Sequence, residues 1–245
     1  MQILLTVAYD GTAYAGWQRQ QNAIAVQQRL DEALSALLNQ PITTRAASRT
    51  DAGVHAQGQR AAFFAEDMRI PLDKLPQVLT GFLPTDISVT AAQAVADDFN
   101  PRFDTAYKTY AYNTYSAPTP NPLLRRYSAY VPQALDIAAM KKAAEAFIGR
   151  HDFAAFMSTG SSAKTTVREI YACSVNGTQP GLIALTVTGN GFLYNMVRII
   201  AGTVLYVGMG KIQSDDVSGI ILSGDRTKAG KTMPPEGLTL MEVIY

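Results

Sequence analysis

A single cysteine, Cys173, leaves the chain without an internal disulfide or a metal site built on several thiolates. Histidine is nearly as scarce, and His55 and His151 alone do not make a His-rich zinc site. No run of about 18 apolar residues occurs, so no segment reads as a membrane span. The N-terminus "MQILLTVAYDG" is briefly apolar, lacks a basic start and enters a turn at once, which is not the pattern of a signal peptide. Asn176-Gly177-Thr178 matches a glycosylation acceptor, but without a secretory signal it reads as a coincidence in a turn. Charge is also sparse: 17% of residues are charged, against the usual quarter or so, and the formal net charge is +1. A polyanionic partner would have to be held by local placement of the 21 lysines and arginines. With 47% hydrophobic residues in 245, a substantial core is easily built, as one large domain or two ordinary ones. The expectation is a soluble, cytoplasmic protein.

What is present is a regular alternation of elements. "QILLTVAY" (2–9) is β-branched and apolar, a strand. A long polar loop with Gly11 and Gly16 follows. Val26, Leu30, Ala33, Leu34, Leu37 and Leu38 share one face of a predicted helix over 26–40, stopped by Pro41. Strands are expected at 42–48, 58–66 and 86–95, with a helix opened by Pro71 over 71–83. The order is β-α-β-β-α-β, that of a ferredoxin-like domain. The second half repeats the plan. Strands are predicted at 108–117, 166–175, 181–189 and 238–245, with helices at 136–149, 192–208 and 214–224. "NGTQP" is read as the hairpin turn between two of those strands, and Ser214 as a helix cap. The 192–208 segment is apolar nearly all round and should be buried. The expected fold is α+β: two ferredoxin-like halves, 1–101 and 102–245, with antiparallel sheets on either side of a cleft.

Several catalytic patterns are absent. "GDRTKAGKT" (224–232) resembles a phosphate loop, but five residues separate Gly224 from Gly230 and a helix precedes it, so it reads as a Gly-rich surface loop. "GNG" and "GMG" lack the rest of a dinucleotide fingerprint. Asp51, in "SRTDAGVHA" (48–56), has no acidic neighbour with which to form a carboxylate pair, and no G-x-S-x-G occurs. Taken alone, Asp51 fits an Asx-turn before Gly53, and Trp17 a core anchor. Arg198 is harder to dismiss, because a guanidinium on so apolar a helix needs a partner. Asp51 is one candidate.

Five segments, "YDGTAYAGWQRQ", "SRTDAGVHA", "NPRFDTAYKTYAY", "TVREI" and "NGFLYNMVRIIAG", occur in the order of one family and spread over most of the chain, which is similar to the tRNA pseudouridine synthase A family. The resemblance implies isomerisation of uridine to pseudouridine at positions 38 to 40 of the tRNA anticodon stem-loop. It implies a basic cleft between the two halves, a homodimer over which one tRNA lies, and neither cofactor nor metal. Asp51 matches the catalytic nucleophile, Arg198 the basic residue that pairs with it, Tyr110 the tyrosine that stacks on the target base, and Arg49 an arginine that helps displace that base. An ionised carboxylate can attack C1′ of the ribose or C6 of the ring, and a neighbouring guanidinium favours the ionised form. The target base must first be flipped out of the stem, where an aromatic face can hold it. His55 and Gln57 are candidate RNA contacts, and Arg19, Arg102, Lys108, Arg125, Arg126, Lys164 and Arg168 candidate backbone contacts. The competing reading is a non-catalytic RNA-binding protein with two ferredoxin-like platforms, its bases stacked on Tyr110, Tyr112 and Tyr115. A hydrolase using Asp51 ranks last, for want of a second acid, a metal cluster or a triad.

Overall fold

In the computed structural model, which describes residues 1–161, 163–179 and 181–245 and only the backbone of Thr178, the first strand, β1 (Gln2–Tyr9), carries Ile3, Leu4, Leu5 and Val7 fully out of water. A strand buried on both faces belongs inside a sheet, and β1 lies between its two antiparallel partners. The elements that follow are α1 (Val26–Leu38), β2 (Arg45–Ala46), β3 (His55–Phe64), α2 (Leu75–Leu79), β4 (Ile87–Val95), β5 (Tyr107–Ser116), β6 (Ala129–Val131), α3 (Ile137–Glu145), β7 (Gly149–Asp152), β8 (Val167–Gln179), β9 (Leu182–Gly189), α4 (Met196–Gly208), α5 (Val217–Ser223) and β10 (Leu238–Ile244). The chain divides into two compact units, Met1–Ala106 with Thr239–Tyr245, and Tyr107–Leu238. Each is mixed α+β, with a mostly antiparallel sheet.

In the first unit the strands run β4-β1-β3, all antiparallel. The outer edge of β3 is shared. β2 pairs with its far end at Ala61 and Ala62, and β10 runs parallel to its start, Thr239 against His55 and Leu240 against Ala56. A Cβ on Gly58 would collide with the Met241 carbonyl, so only glycine lets these two backbones approach. This order, with β2 on β3, is that of the ferredoxin-like plan. The two helices differ from expectation in length. α1 stops at Leu38 because Asn39 turns left-handed (φ 51°), two residues before Pro41. α2 is one short helix, since the rest of 71–83 forms turns.

The second unit has the order β5-β9-β8-β7, antiparallel throughout, with β6 parallel to the opposite edge of β5. β6 and β7 are too short to show an alternation and are absent from the sequence expectation. β8 runs on to Gln179, through most of the predicted "NGTQP" turn; Pro180 lies outside the described residues. Asp136 caps α3 by accepting a hydrogen bond from Ala139 N–H at 3.0 Å. α4 begins at Met196, four residues later than the hydropathy suggests, after Asn195 in a left-handed conformation (φ 61°). Every α4 residue but Arg198 and Tyr206 is buried, as so apolar a helix requires. Ser214 is not a cap: it opens a 3-10 turn, and Asp216 precedes α5 without a side-chain capping bond.

Candidate active site

Asp51 sits half-buried on the connection from β2 to β3, and backbone geometry holds that connection against the loop after β1. Trp17 N–H donates to Thr50 C=O at 3.1 Å, and Gly53 N–H donates to Tyr14 C=O at 3.2 Å. The Tyr9 hydroxyl and Thr50 Oγ1 lie 2.7 Å apart, buried. Two glycines make the approach possible. Gly16 adopts φ 90°, where a Cβ would meet Thr50 C=O at 2.6 Å, and a Cβ on Gly11 would collide with the Val54 carbonyl. Gly53, at φ 78°, completes the turn that Val54 N–H closes onto Asp51 C=O at 3.1 Å. The segments "DGTAYAGW" and "SRTDAGVH" therefore form one interlocked structure, with Asp51 on its half-exposed side.

Gln59 fixes the entry to this loop. It is 0% exposed, inside β3. Its Oε1 accepts from Ser48 N–H and Arg60 N–H, both at 3.2 Å, and its Nε2 donates to Ser48 C=O at 2.8 Å. A buried amide so fully used is a clamp on the backbone three residues before Asp51. Sequence reasoning missed it, since a glutamine in a strand usually faces water and the flanking Gly58 and Arg60 give no sign of burial.

His55, a candidate RNA contact, is 3% exposed, with Nδ1 accepting from Gly11 N–H at 3.0 Å and 3.2 Å from Asp10 Oδ1. It joins β3 to the loop after β1. Gln57, its neighbour but one on β3, is exposed, as are Arg49, Arg19 and Arg102; Arg102 lies over the Phe103 ring, 5.7 Å from its centroid.

In the second unit, Arg198 projects from the first turn of α4. Its Nε donates to Met233 C=O at 2.7 Å and its Nη1 to Asn195 Oδ1 at 2.7 Å. Asn195 is itself held by Ser158 Oγ at 3.0 Å. Backbone and amide oxygens thus supply part of the partnership that an arginine on this helix requires. Tyr110, on β5, is 8% exposed, with Phe192 edge-on at 5.2 Å and 85°. Lys108, a candidate backbone contact, is buried. Arg168 donates from Nη1 to Thr165 C=O at 2.9 Å and Val167 C=O at 2.6 Å, and burial depresses its pKa from the ordinary value. Lys164, Arg125 and Arg126 are exposed.

Two expectations are overturned here. Tyr112 and Tyr115 are buried like Tyr110: Tyr112 donates to Pro234 C=O at 2.8 Å, and Tyr115 packs on Tyr130 at 5.1 Å. Tyr112 and Tyr115 are thus taken up by packing, and β5 presents no row of open stacking rings. "GDRTKAGKT" is not simply a surface loop either. Gly230 crosses α4 at Gly202, its N–H bound to Thr203 Oγ1 at 2.8 Å, with room for no Cβ on either glycine.

A sequence profile described as "tRNA pseudouridine synthase" matches residues 5–104 and 143–245. The chain is 47% identical over 244 residues to a tRNA pseudouridine synthase A of Ruminiclostridium cellulolyticum, covering 100% of this chain and 99% of that protein. It is 47% identical over 243 residues to the protein of that name in Caldicellulosiruptor bescii, covering 99% of each. A third relative of the same name, from Geotalea uraniireducens, is 46% identical over 244 residues, 100% of this chain and 99% of its own length. On a profile match over most of its residues and near-half identity from end to end, the chain belongs to the tRNA pseudouridine synthase family.

Proposed function

We propose that this chain is an isomerase that converts uridine to pseudouridine at positions 38 to 40 of the tRNA anticodon stem-loop, with Asp51 as its nucleophile. The reaction detaches uracil from C1′, turns it and rejoins it through C5. Nothing enters or leaves in net terms, so the reading calls for no redox or group-donor cofactor and no metal. The protein works in the cytoplasm as a homodimer. Arg198 is the cation assigned to the carboxylate, Tyr110 the ring assigned to the target base, and Arg49 the side chain that helps to displace it.

The observation that carries the proposal is the treatment of Asp51. A plain Asx-turn needs no support beyond its own hydrogen bonds. Here the loop is braced by Gln59 before Asp51, by Tyr9 and Trp17 at Thr50, and by Tyr14 at Gly53, while the carboxylate's own residue stays half-exposed. Rigid bracing of one polar residue is what a nucleophile needs, since catalysis depends on holding the attacking atom in a near-attack geometry.

The test uses unmodified tRNA transcripts with uridine in the lower anticodon stem, incubated in EDTA. Pseudouridine is mapped by chemical derivatisation, with Asp51→Ala in parallel. The wild type is expected to modify positions 38 to 40. The variant should retain tRNA binding and lose turnover by at least about a thousandfold. Normal turnover in Asp51→Ala would remove the nucleophile from the proposal, and modification elsewhere in the tRNA would remove the site.

A further inference from the structure

The loop after β1 carries more than its contacts to Thr50. Immediately beyond Trp17 it folds around an open hollow of about 650 Å³, lined by Arg19, Gln20, Gln21, Asn22, Ile24 and Gln28, together with Ala23. That volume lies within the range of ligand sites. No carboxylate lines it, and the amides offer both donors and acceptors. Part of the frame is pinned: Gln20 Nε2 donates to Ala15 C=O at 2.8 Å, and Arg19 N–H donates to Gln27 Oε1 at 3.0 Å. The Arg19 guanidinium, by contrast, is exposed and has no hydrogen bond or ion pair among the described residues, whereas Arg29 is engaged with Glu32 and Arg69 with Asp67.

The hollow is tied to the Asp51 loop. The Trp17 N–H to Thr50 C=O bond places Arg19 two residues from one end and Arg49 one residue from the other. Arg49 is likewise exposed and without a hydrogen bond or ion pair among the described residues. Two exposed guanidinium groups thus flank one backbone hydrogen bond beside Asp51, Arg19 feeling the Asp31 and Glu32 carboxylates only through a Coulomb attraction. A second hollow in the same unit, of about 590 Å³, has Glu32, Phe82 and Leu83 in its wall and offers a polyanion no such welcome.

We infer that the hollow lined by Arg19, Gln20, Asn22 and Gln28 is a subsite for a nucleotide of the substrate strand beside the target uridine, Arg19 holding its phosphate and the amides its sugar or base edge. This rests on the proposed activity and adds to it a second point of attachment in the unit that carries Asp51. Phosphate contacts position a strand, and the affinity they supply falls with salt. Amide side chains around an unpaired nucleotide can hydrogen-bond its 2′-hydroxyl or base edge.

The experiment measures steady-state pseudouridine formation, and tRNA binding over a salt series, with an unmodified tRNA transcript as the probe. Wild type, Arg19→Ala and the double variant Gln20→Ala/Asn22→Ala are compared, their folding checked by Trp17 fluorescence. Arg19→Ala is expected to raise KM about tenfold, the worth of one charge-assisted hydrogen bond, with a much smaller change in kcat. It should also flatten the slope of log affinity against log salt by about one. The double variant should raise KM and leave the salt slope as it was. An active wild type with KM and salt slope unchanged in both variants overturns the subsite and leaves the proposed activity standing. An inactive wild type overturns the activity, and the subsite falls with it.

Discussion

Asp31 shows how one buried side chain can work against the fold while serving it. It lies on the inner face of α1, where its Oδ1 accepts from Thr44 N–H at 2.9 Å and Thr44 Oγ1 at 2.8 Å, so it anchors the chain that leads into β2. Burial raises its pKa, and the two Thr44 bonds only partly offset that. A carboxyl whose folded pKa is raised binds its proton more tightly in the native state than in the unfolded one. Its contribution therefore favours folding at low pH, and is lost as pH rises from the ordinary carboxyl range through the raised folded value. Asparagine at this position keeps an oxygen for Thr44 and never ionises. We predict that the melting temperature of Asp31→Asn, measured against wild type from pH 3 to pH 7, gains relative to wild type as pH rises. A difference that stays constant across this range would mean that the Thr44 bonds cancel burial, and one that moves in wild type's favour as pH rises would mean that they outweigh it.

At the scale of elements, α4 is the member on which the second unit's packing turns. Its Gly202 meets Gly230 and the Lys231 carbonyl so closely that neither glycine has space for a Cβ, and Gly208 brings α3 close through Met140 and Leu135. The Gly202 contact is backbone against backbone, so relaxation there is limited, whereas Gly208 meets only side-chain atoms that can shift. Gly202→Ala would gain helix propensity of about 1 kcal/mol and yet should lose about 1–3 kcal/mol or more by overpacking. A lower urea midpoint with unchanged slope is the expected reading, and an increase would show that the "GKT" segment yields easily. This crossing also explains what the sequence made legible. Long periodic segments, β1, α1, α4 and the β8–β9 pair, announce themselves because their own residues decide their state. β2, β6 and β7 exist because a neighbouring strand supplies hydrogen bonds, which no local pattern encodes. Asp51 and Arg198 became candidates through motif resemblance, and Arg198 also through its conflict with an apolar helix. Gln59, Tyr9 and Tyr14 were not, because their roles lie in backbone groups far along the chain. The same blindness made the Gly-rich 224–232 segment look like a surface loop.

At the scale of the whole molecule, the two ends of the chain meet in the unit that carries Asp51. β10 is the last strand, yet it pairs with the start of β3 a few residues after Asp51. Beyond it Tyr245 donates to Pro101 C=O at 3.0 Å and packs on Phe99 at 4.8 Å, and Ala106 N–H donates to Ile244 C=O at 2.8 Å. Leu240 and Val243 are buried, and each fully buried aliphatic side chain contributes about 1.5–3 kcal/mol. Together they are a large fraction of the whole stability of an ordinary domain, about 5–15 kcal/mol. A chain ending at Gly237 should therefore fail to hold its first unit, although it keeps every residue of "SRTDAGVHA". Trp17 reports on that unit alone, being the only tryptophan and buried against Tyr9 at 5.8 Å. We predict that the truncated chain shows red-shifted Trp17 emission without denaturant and loses pseudouridine formation. If Trp17 emission and its urea midpoint match those of the full chain, β10 is an accessory to a unit that folds without it, and the loop bearing Asp51 owes its shape to residues 1–106 alone.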